Sequence, residues 1–287
     1  MCNLFPRTEV AGISLSRMIM GTNWLLGWSH TGAAADKMIT SCYDTKEKMY
    51  PILEAYLEYG VDTIMAPFGL SQTLEDGVKD VEQKTGKPII RIDTPCINVN
   101  DTPEGRREAE EVIKACGKRG SKICLIHHSS VEQLVNKNKG VIDRLSDYTK
   151  MIRDAGMVPG LSAHMPELIT YSDDNGYDVE TYIQIYNCMG FLMQVEVETV
   201  ARIIHNAKKP VMTIKPMAAG RVTPFVGFNF VWNTLRDMDM VTVGAFSADE
   251  VHEDIEISFA ALERRLPDTE RRSSPVETQA AFGRVSS

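Results

Sequence analysis

Several features that would classify this chain at once are missing from it. Its six cysteines, Cys2, Cys42, Cys96, Cys116, Cys124 and Cys188, form no Cys-x-x-Cys pair and are widely scattered. That spacing excludes a zinc knuckle, and the thiols read as reduced and mostly buried. No apolar run approaches the ~20 residues of a membrane-spanning helix, and the opening "MCNLFPRTEV" lacks the apolar core of a signal peptide. A soluble, cytoplasmic protein is the expectation. The net charge is −8, with no cluster of Lys and Arg to neutralise phosphates, which argues against nucleic acid or an anionic membrane as partner and leaves a small molecule. No Gly-x-Gly-x-x-Gly follows any strand-like run, and this weakens an open, doubly wound dinucleotide-binding sheet.

What is present is alternation. Short apolar or β-branched runs bounded by turn residues occur at 17–22, 61–66, 87–93, 122–127, 157–164, 181–187, 209–215 and 239–246. Between and after them, helical apolar spacing covers 45–59, 71–84, 102–119, 140–155, 166–175, 191–207, 222–237 and 247–265. Asp101-Thr102-Pro103-Glu104 starts the third helix, and Ser247-Ala248-Asp249-Glu250 is a capping box for the eighth. Eight strand–helix units predict an α/β protein, a closed (β/α)8 TIM barrel spanning residues 1–266. The polar, unpatterned stretch from Pro267 to Ser287 reads as a flexible tail.

In such a barrel, catalytic groups sit at the carboxyl ends of the strands, on the residues that alternate inward. On that rule Arg91 and Asp93 share a face in the third strand, Ile123, Leu125 and His127 in the fourth, and Ser162 and His164 belong to the fifth. Gln184 falls with Tyr182 and Tyr186 in the sixth, and Thr213 with Lys215 in the seventh. His128, of opposite parity to His127, is expected to face outward, and His205 and His252 to lie on helix surfaces. Trp24, Trp28 and His30 in the first βα loop are candidates for a substrate wall. So many polar groups at five consecutive strand ends are costly to bury unpaired, so they predict a solvated pocket.

Several stretches resemble the aldo-keto reductase superfamily, along most of residues 7 to 262. They include "GISLSRMIMGTNWLLG", "LEYGVDTIMAPFG", "ICLIHH" with its histidine, "IRDAGMVPGLSAHMPELI", "YIQIYN", "KPVMTIKPMAAGRV" and "VTVGAFSADEVHEDIE". The resemblance implies a (β/α)8 barrel that reduces carbonyls with NADP(H). It places the family's active-site histidine on His127, its aspartate on Met65, its tyrosine on Phe68, and its lysine on Asp93 or Arg91. It also places two residues that hold the nicotinamide carboxamide on Ser162 and Gln184. Where the family carries basic residues for the NADP phosphate, this chain has Phe246, Asp249 and Glu250.

Two chemistries follow. In the first, Asp93, His127 and His164 form a two-histidine, one-carboxylate set for a divalent metal ion, with Arg91 and Lys215 holding a substrate oxyanion or Lys215 forming a Schiff base. That set suits isomerase, lyase or hydrolase chemistry on a small oxygenated compound, with His127, Asp93, Arg91 and Lys215 as the catalytic group. In the second, a divergent NADP(H)-dependent oxidoreductase uses His127 as proton donor, and Ser162, Gln184 and Arg221 hold the cofactor. A barrel that binds a small molecule without catalysis is the third reading.

Overall fold

The computed structural model describes residues 3–269. Eight parallel strands close into one barrel. They are β1 (Met18–Gly21), β2 (Thr63–Ala66), β3 (Ile90–Asp93), β4 (Ile123–Ile126), β5 (Val158–Ala163), β6 (Tyr182–Ile185), β7 (Val211–Ile214) and β8 (Met240–Val243). Each is followed by a helix of the outer ring: α1 (Tyr50–Glu58), α2 (Gln72–Thr85), α3 (Pro103–Lys118), α4 (Leu145–Asp154), α5 (Glu167–Asn175), α6 (Val197–Asn206), α7 (Pro224–Thr234) and α8 (Ala248–Glu263). All eight strands and all eight helices fall within the ranges that alternation predicts, give or take a residue or two at the ends. Thr102 and Ser247 cap α3 and α8 by accepting the amides of Gly105 and Glu250. Most of the proposed tail, residues 270–287, lies outside the described residues.

Further elements lie outside the eight units. A hairpin of Arg7–Val10 and Ile13–Ser16 precedes β1, a helix at Ala33–Cys42 lies in the first βα loop, and a two-residue ladder joins Val135–Asn136 to Val141–Ile142. The hairpin has a packing role. Val10 and Leu15 cluster with the barrel interior, closing its floor below β1. The interior itself is made by Ile19, Met65, Ile92, Ile123, Leu125, Ile183, Met212 and Met240. Gly160 faces the same space, where an added Cβ would lie 2.8 Å from Leu125 Cγ, so β5 supplies room and β4 supplies the side chain. The barrel is therefore a packed, apolar core below the level of its upper rim.

That packing reverses the expected parity of β3. Ile92 points into the barrel, while Arg91 and Asp93 lie in the layer between strands and helices. Arg91 donates to both carboxylate oxygens of Glu82 on α2, at 3.3 and 2.5 Å. Asp93, fully buried, accepts from Arg119 at 3.1 Å and from Ser121 at 3.3 Å, both just beyond α3. The helices can supply opposite charges and the dry interior cannot, so the charged face of β3 turns outward. Gln184 also turns outward: Ile183 holds the inward position, and Gln184 shares the outer face with Tyr182 and Tyr186. Thr213 likewise points out and donates to the Met240 carbonyl at 2.9 Å.

The Asp93–Arg119 pair gives a test of this placement. Arg119→Met leaves a buried carboxylate without its cation, a loss of about 3 kcal/mol, read as a lower urea midpoint. Ligand affinity at the upper rim should not change, since neither residue reaches it.

Candidate active site

A cavity of about 480 Å³ opens at the carboxyl ends of the strands. Its floor is apolar, with Met65, Ile183 and Ile214, and its wall includes Trp24 and Trp28 from the first βα loop. The polar groups are His30, His127, His128, Ser162, His164, Lys215, Thr94 and Cys96, together with Thr22, Asn23, Ser29 and Thr242. Among the described residues that line it, none is acidic.

Of the residues selected from the sequence, His127, Ser162, His164 and Lys215 meet here, with Trp24, Trp28 and His30. Asp93, Arg91 and Gln184 do not, for the parity reasons given above. The expected Asp93–His127–His164 ligand set is therefore not assembled, and among the described residues no group of three or more His, Cys, Asp or Glu is arranged to hold a metal ion. Arg221 sits at the rim, with its guanidinium 4.1 Å above the Phe191 ring and one nitrogen donating to the Ala218 carbonyl at 3.2 Å. Met65 occupies the cavity floor, and Phe68 is buried in the outer core, so neither position carries a proton donor.

His127 ends β4 and its ring is held from several sides. Its amide donates to the Pro95 carbonyl, tying the β3 and β4 loops together at 3.0 Å. Nδ1 accepts the Ser129 amide at 3.3 Å and lies 2.8 Å from Ser129 Oγ and 3.3 Å from Cys96 Sγ. An acceptor at Nδ1 places the proton of the neutral ring on Nε2. Burial, and then the neighbouring His128, push the His127 pKa down to about 4, so this neutral tautomer holds at physiological pH.

His128 corrects the parity argument. It is the first residue of a helical turn, His128–Val131, so strand alternation no longer governs it, and its ring also lines the cavity. The His128 and His164 rings are stacked with centroids 3.7 Å apart, and His127 lies 4.2 Å from His128. Glu132 fixes the stack by accepting the amides of His164 and Met165 at 2.6 and 2.9 Å. Burial, His128 and Lys215 lower the His164 pKa to about 3. Cys96 was also missed. Its position directly after β3, in a βα loop at the catalytic face, is the signal that could have found it.

Lys215 reaches the cavity by a different route from the one predicted. It lies just past β7, with φ of 63°, in the left-handed region. Alternation would send it outward with Thr213; the left-handed turn brings it in. Ala218, Ala219 and Gly220 continue in that region at 50°, 54° and 81°. Consecutive non-glycine residues held there cost on the order of 1 kcal/mol each, strain that the surrounding structure must hold in place. Gly227 on α7 lets the loop rest against the helix, since an added Cβ would meet the Pro216 carbonyl at 2.9 Å.

No protein-family model and no curated protein sequence matches the chain. Solved structures do. A putative aldo-keto reductase from Pseudomonas aeruginosa aligns over 91% of this chain and 98% of its own, with a TM-score of 0.66 and 13% identity. An aldo-keto reductase from Klebsiella pneumoniae in complex with NADPH aligns over 98% and 94%, at 0.59 and 14%. Aldose reductase from Giardia lamblia aligns over 92% and 89%, at 0.52 and 13%. At such identities the likeness concerns the fold, and the fold is an aldo-keto-reductase-like (β/α)8 barrel. No helix among the described residues is long and apolar enough to cross a membrane.

The depressed histidines make stability depend on pH in a defined direction. In the unfolded chain an imidazole titrates near 6.5, whereas in the fold His127 and His164 are held at about 4 and about 3. Between those values the unfolded chain binds protons that the folded chain does not. The stabilisation is complete above pH 6.5 and falls as the pH drops toward 4. Imidazole NMR should show both rings neutral at pH 6, and His127→Gln should flatten the fall of the urea midpoint over this interval.

Proposed function

We propose that the protein is a divergent carbonyl oxidoreductase, exchanging hydride between a nicotinamide dinucleotide and a small carbonyl compound at the upper mouth of the barrel. One observation carries the reading. His127, the family's histidine in the resemblance, is a neutral ring fixed as a donor at Nε2 and lines a cavity with no acidic wall. A neutral imidazole donor suits a carbonyl oxygen that becomes an alkoxide, because the hydrogen bond strengthens as charge develops.

The cofactor fits in part. Ser162 lines the cavity, and the left-handed run at 218–220 leads to Arg221 at its edge. Gln184 faces away and takes no part. At the start of α8, Asp249 and Glu250 occupy the first turn, and Glu250 caps the Phe246 amide at 2.6 Å. A 2′-phosphate placed there meets two carboxylates and no free cap. The residues present therefore suit a nicotinamide dinucleotide without that phosphate, held by Ser162 and the loop from Ala218 to Arg221. When bound, such a group supplies or accepts the hydride.

The chain's own residues then do three things. His127 Nε2–H orients the carbonyl and shelters the alkoxide. The Ser129 amide, with Ser129 Oγ and Cys96 Sγ close to the same nitrogen, keeps Nδ1 an acceptor and so holds the tautomer that makes this possible. Phe68 offers no phenol to protonate the alkoxide, so the proton arrives from water through the open mouth, and turnover is slow beside an enzyme with a built-in acid. The metal-assisted alternative has lost Asp93 to the outer layer and with it the ligand set on which it stood.

Fluorescence titration with NADH and NADPH, followed by turnover on a panel of aldehydes and ketones, tests this reading. NADH should bind more tightly than NADPH. His127→Ala should lower kcat/KM about 100-fold while leaving NADH affinity unchanged. Absence of binding by either cofactor would sink the proposal.

A further inference from the structure

The cavity has one corner whose charge is unbalanced. Lys215 Nζ lies 3.0 Å from His30 Nε2, and the same nitrogen accepts Asn23 Nδ2 at 2.9 Å. His30 thus provides a single lone pair for two donors. An ammonium has three N–H bonds, and after one goes to His30 the others remain for a ligand. No carboxylate lines the cavity, although the chain as a whole carries a net charge of −8, and Asp36, whose charge is felt at His30, is taken up by the Ser29 amide and hydroxyl. Burial alone accounts for the lowered pKa of Lys215, with no acidic neighbour opposing it. The adjacent Arg221 adds positive charge that is felt at His30. Half-buried at the cavity wall with an uncharged imidazole acceptor as its partner, the Lys215 ammonium keeps N–H bonds for an anion that a ligand would bring.

The backbone supports the same conclusion independently. His30 and Lys215 come from the first and seventh βα loops, and both are non-glycine residues in the left-handed region, at φ of 56° and 63°. Two strained residues from separate loops meet at one hydrogen bond. Strain of this kind is retained where the surrounding structure holds a functional side chain in place. His127 and Lys215 both line the cavity, with the indoles of Trp24 and Trp28 in its wall.

We propose that Lys215, supported by His30 and Asn23, is the seat for the substrate's carboxylate, and that the substrate class is a small oxo acid with an apolar body. The carbonyl oxygen faces His127 and the carboxylate faces Lys215. The assignment of the carbonyl end rests on the oxidoreductase reading above; the oxyanion seat does not. Lys215 is a positioning and specificity residue here, acting on the part of the substrate that does not react.

Calorimetric titration of the full chain with phenylglyoxylate and with its methyl ester tests the seat. The acid should bind at least about tenfold more tightly than the ester, a difference of about 1.4 kcal/mol. Lys215→Met should erase that preference by weakening the acid and leaving the ester unchanged, and Lys215→Arg should keep part of it. Equal binding of acid and ester by the unaltered protein overturns the proposal, as does a Lys215→Met variant that weakens both alike. ADP-ribose identifies the other source of an anion: if Lys215→Met weakens ADP-ribose and spares phenylglyoxylate, the seat serves a cofactor phosphate and the proposal fails. Phenylacetate, which lacks the carbonyl, separates the two readings. Should it bind as tightly as phenylglyoxylate and depend equally on Lys215, the oxyanion seat stands and the carbonyl assignment falls.

Discussion

The interior of an eight-stranded barrel is a dry space with almost no room, and every polar residue on a strand must either leave it or rise above it. This constraint organises the molecule. Ile19, Ile92, Leu125, Ile183, Met212 and Met240 fill the waist, and the hairpin residues Val10 and Leu15 seal the floor. Arg91 and Asp93 leave, turning outward to Glu82 and to Arg119 with Ser121. His127, Ser162, His164 and Lys215 rise, each at or beyond the carboxyl end of its strand. The division between structural and chemical residues is therefore a division of height and facing, imposed by packing.

Above the waist the site is built from imidazoles and one amine. His128 and His164 stack, His127 stands beside them, and Glu132 anchors the stack through backbone amides without entering the cavity. Desolvation keeps these rings neutral, so they act as hydrogen-bond donors and acceptors rather than as charges. The remaining charge in the wall is that of Lys215, held by a strained turn.

Much of the fold was legible in the sequence because alternation of strand and helix depends only on local periodicity and caps. The parity of β3 was not. Ile89, Arg91 and Asp93 alternate with Ile90 and Ile92, and both faces look plausible until Glu82 and Arg119, remote in sequence, are seen to supply the opposite charges. Lys215 lines the cavity, but its entry depends on a left-handed residue that alternation does not foresee. His128 was placed incorrectly because its strand had already ended. Cys96 went unnoticed because a single thiol in a loop carries no pattern of its own.

The sequence alone determined the eight strand–helix units, the closure they imply, and the positions of His127 and Ser162, because those depend on neighbours close along the chain. Tertiary structure alone decided which charges meet. Asp93 pairs with Arg119, not with His127, and the Lys215 ammonium donates to the His30 ring across 185 residues. Electrostatic partners are chosen by distance in space and by the cost of leaving a charge unpaired, and neither is written in local periodicity.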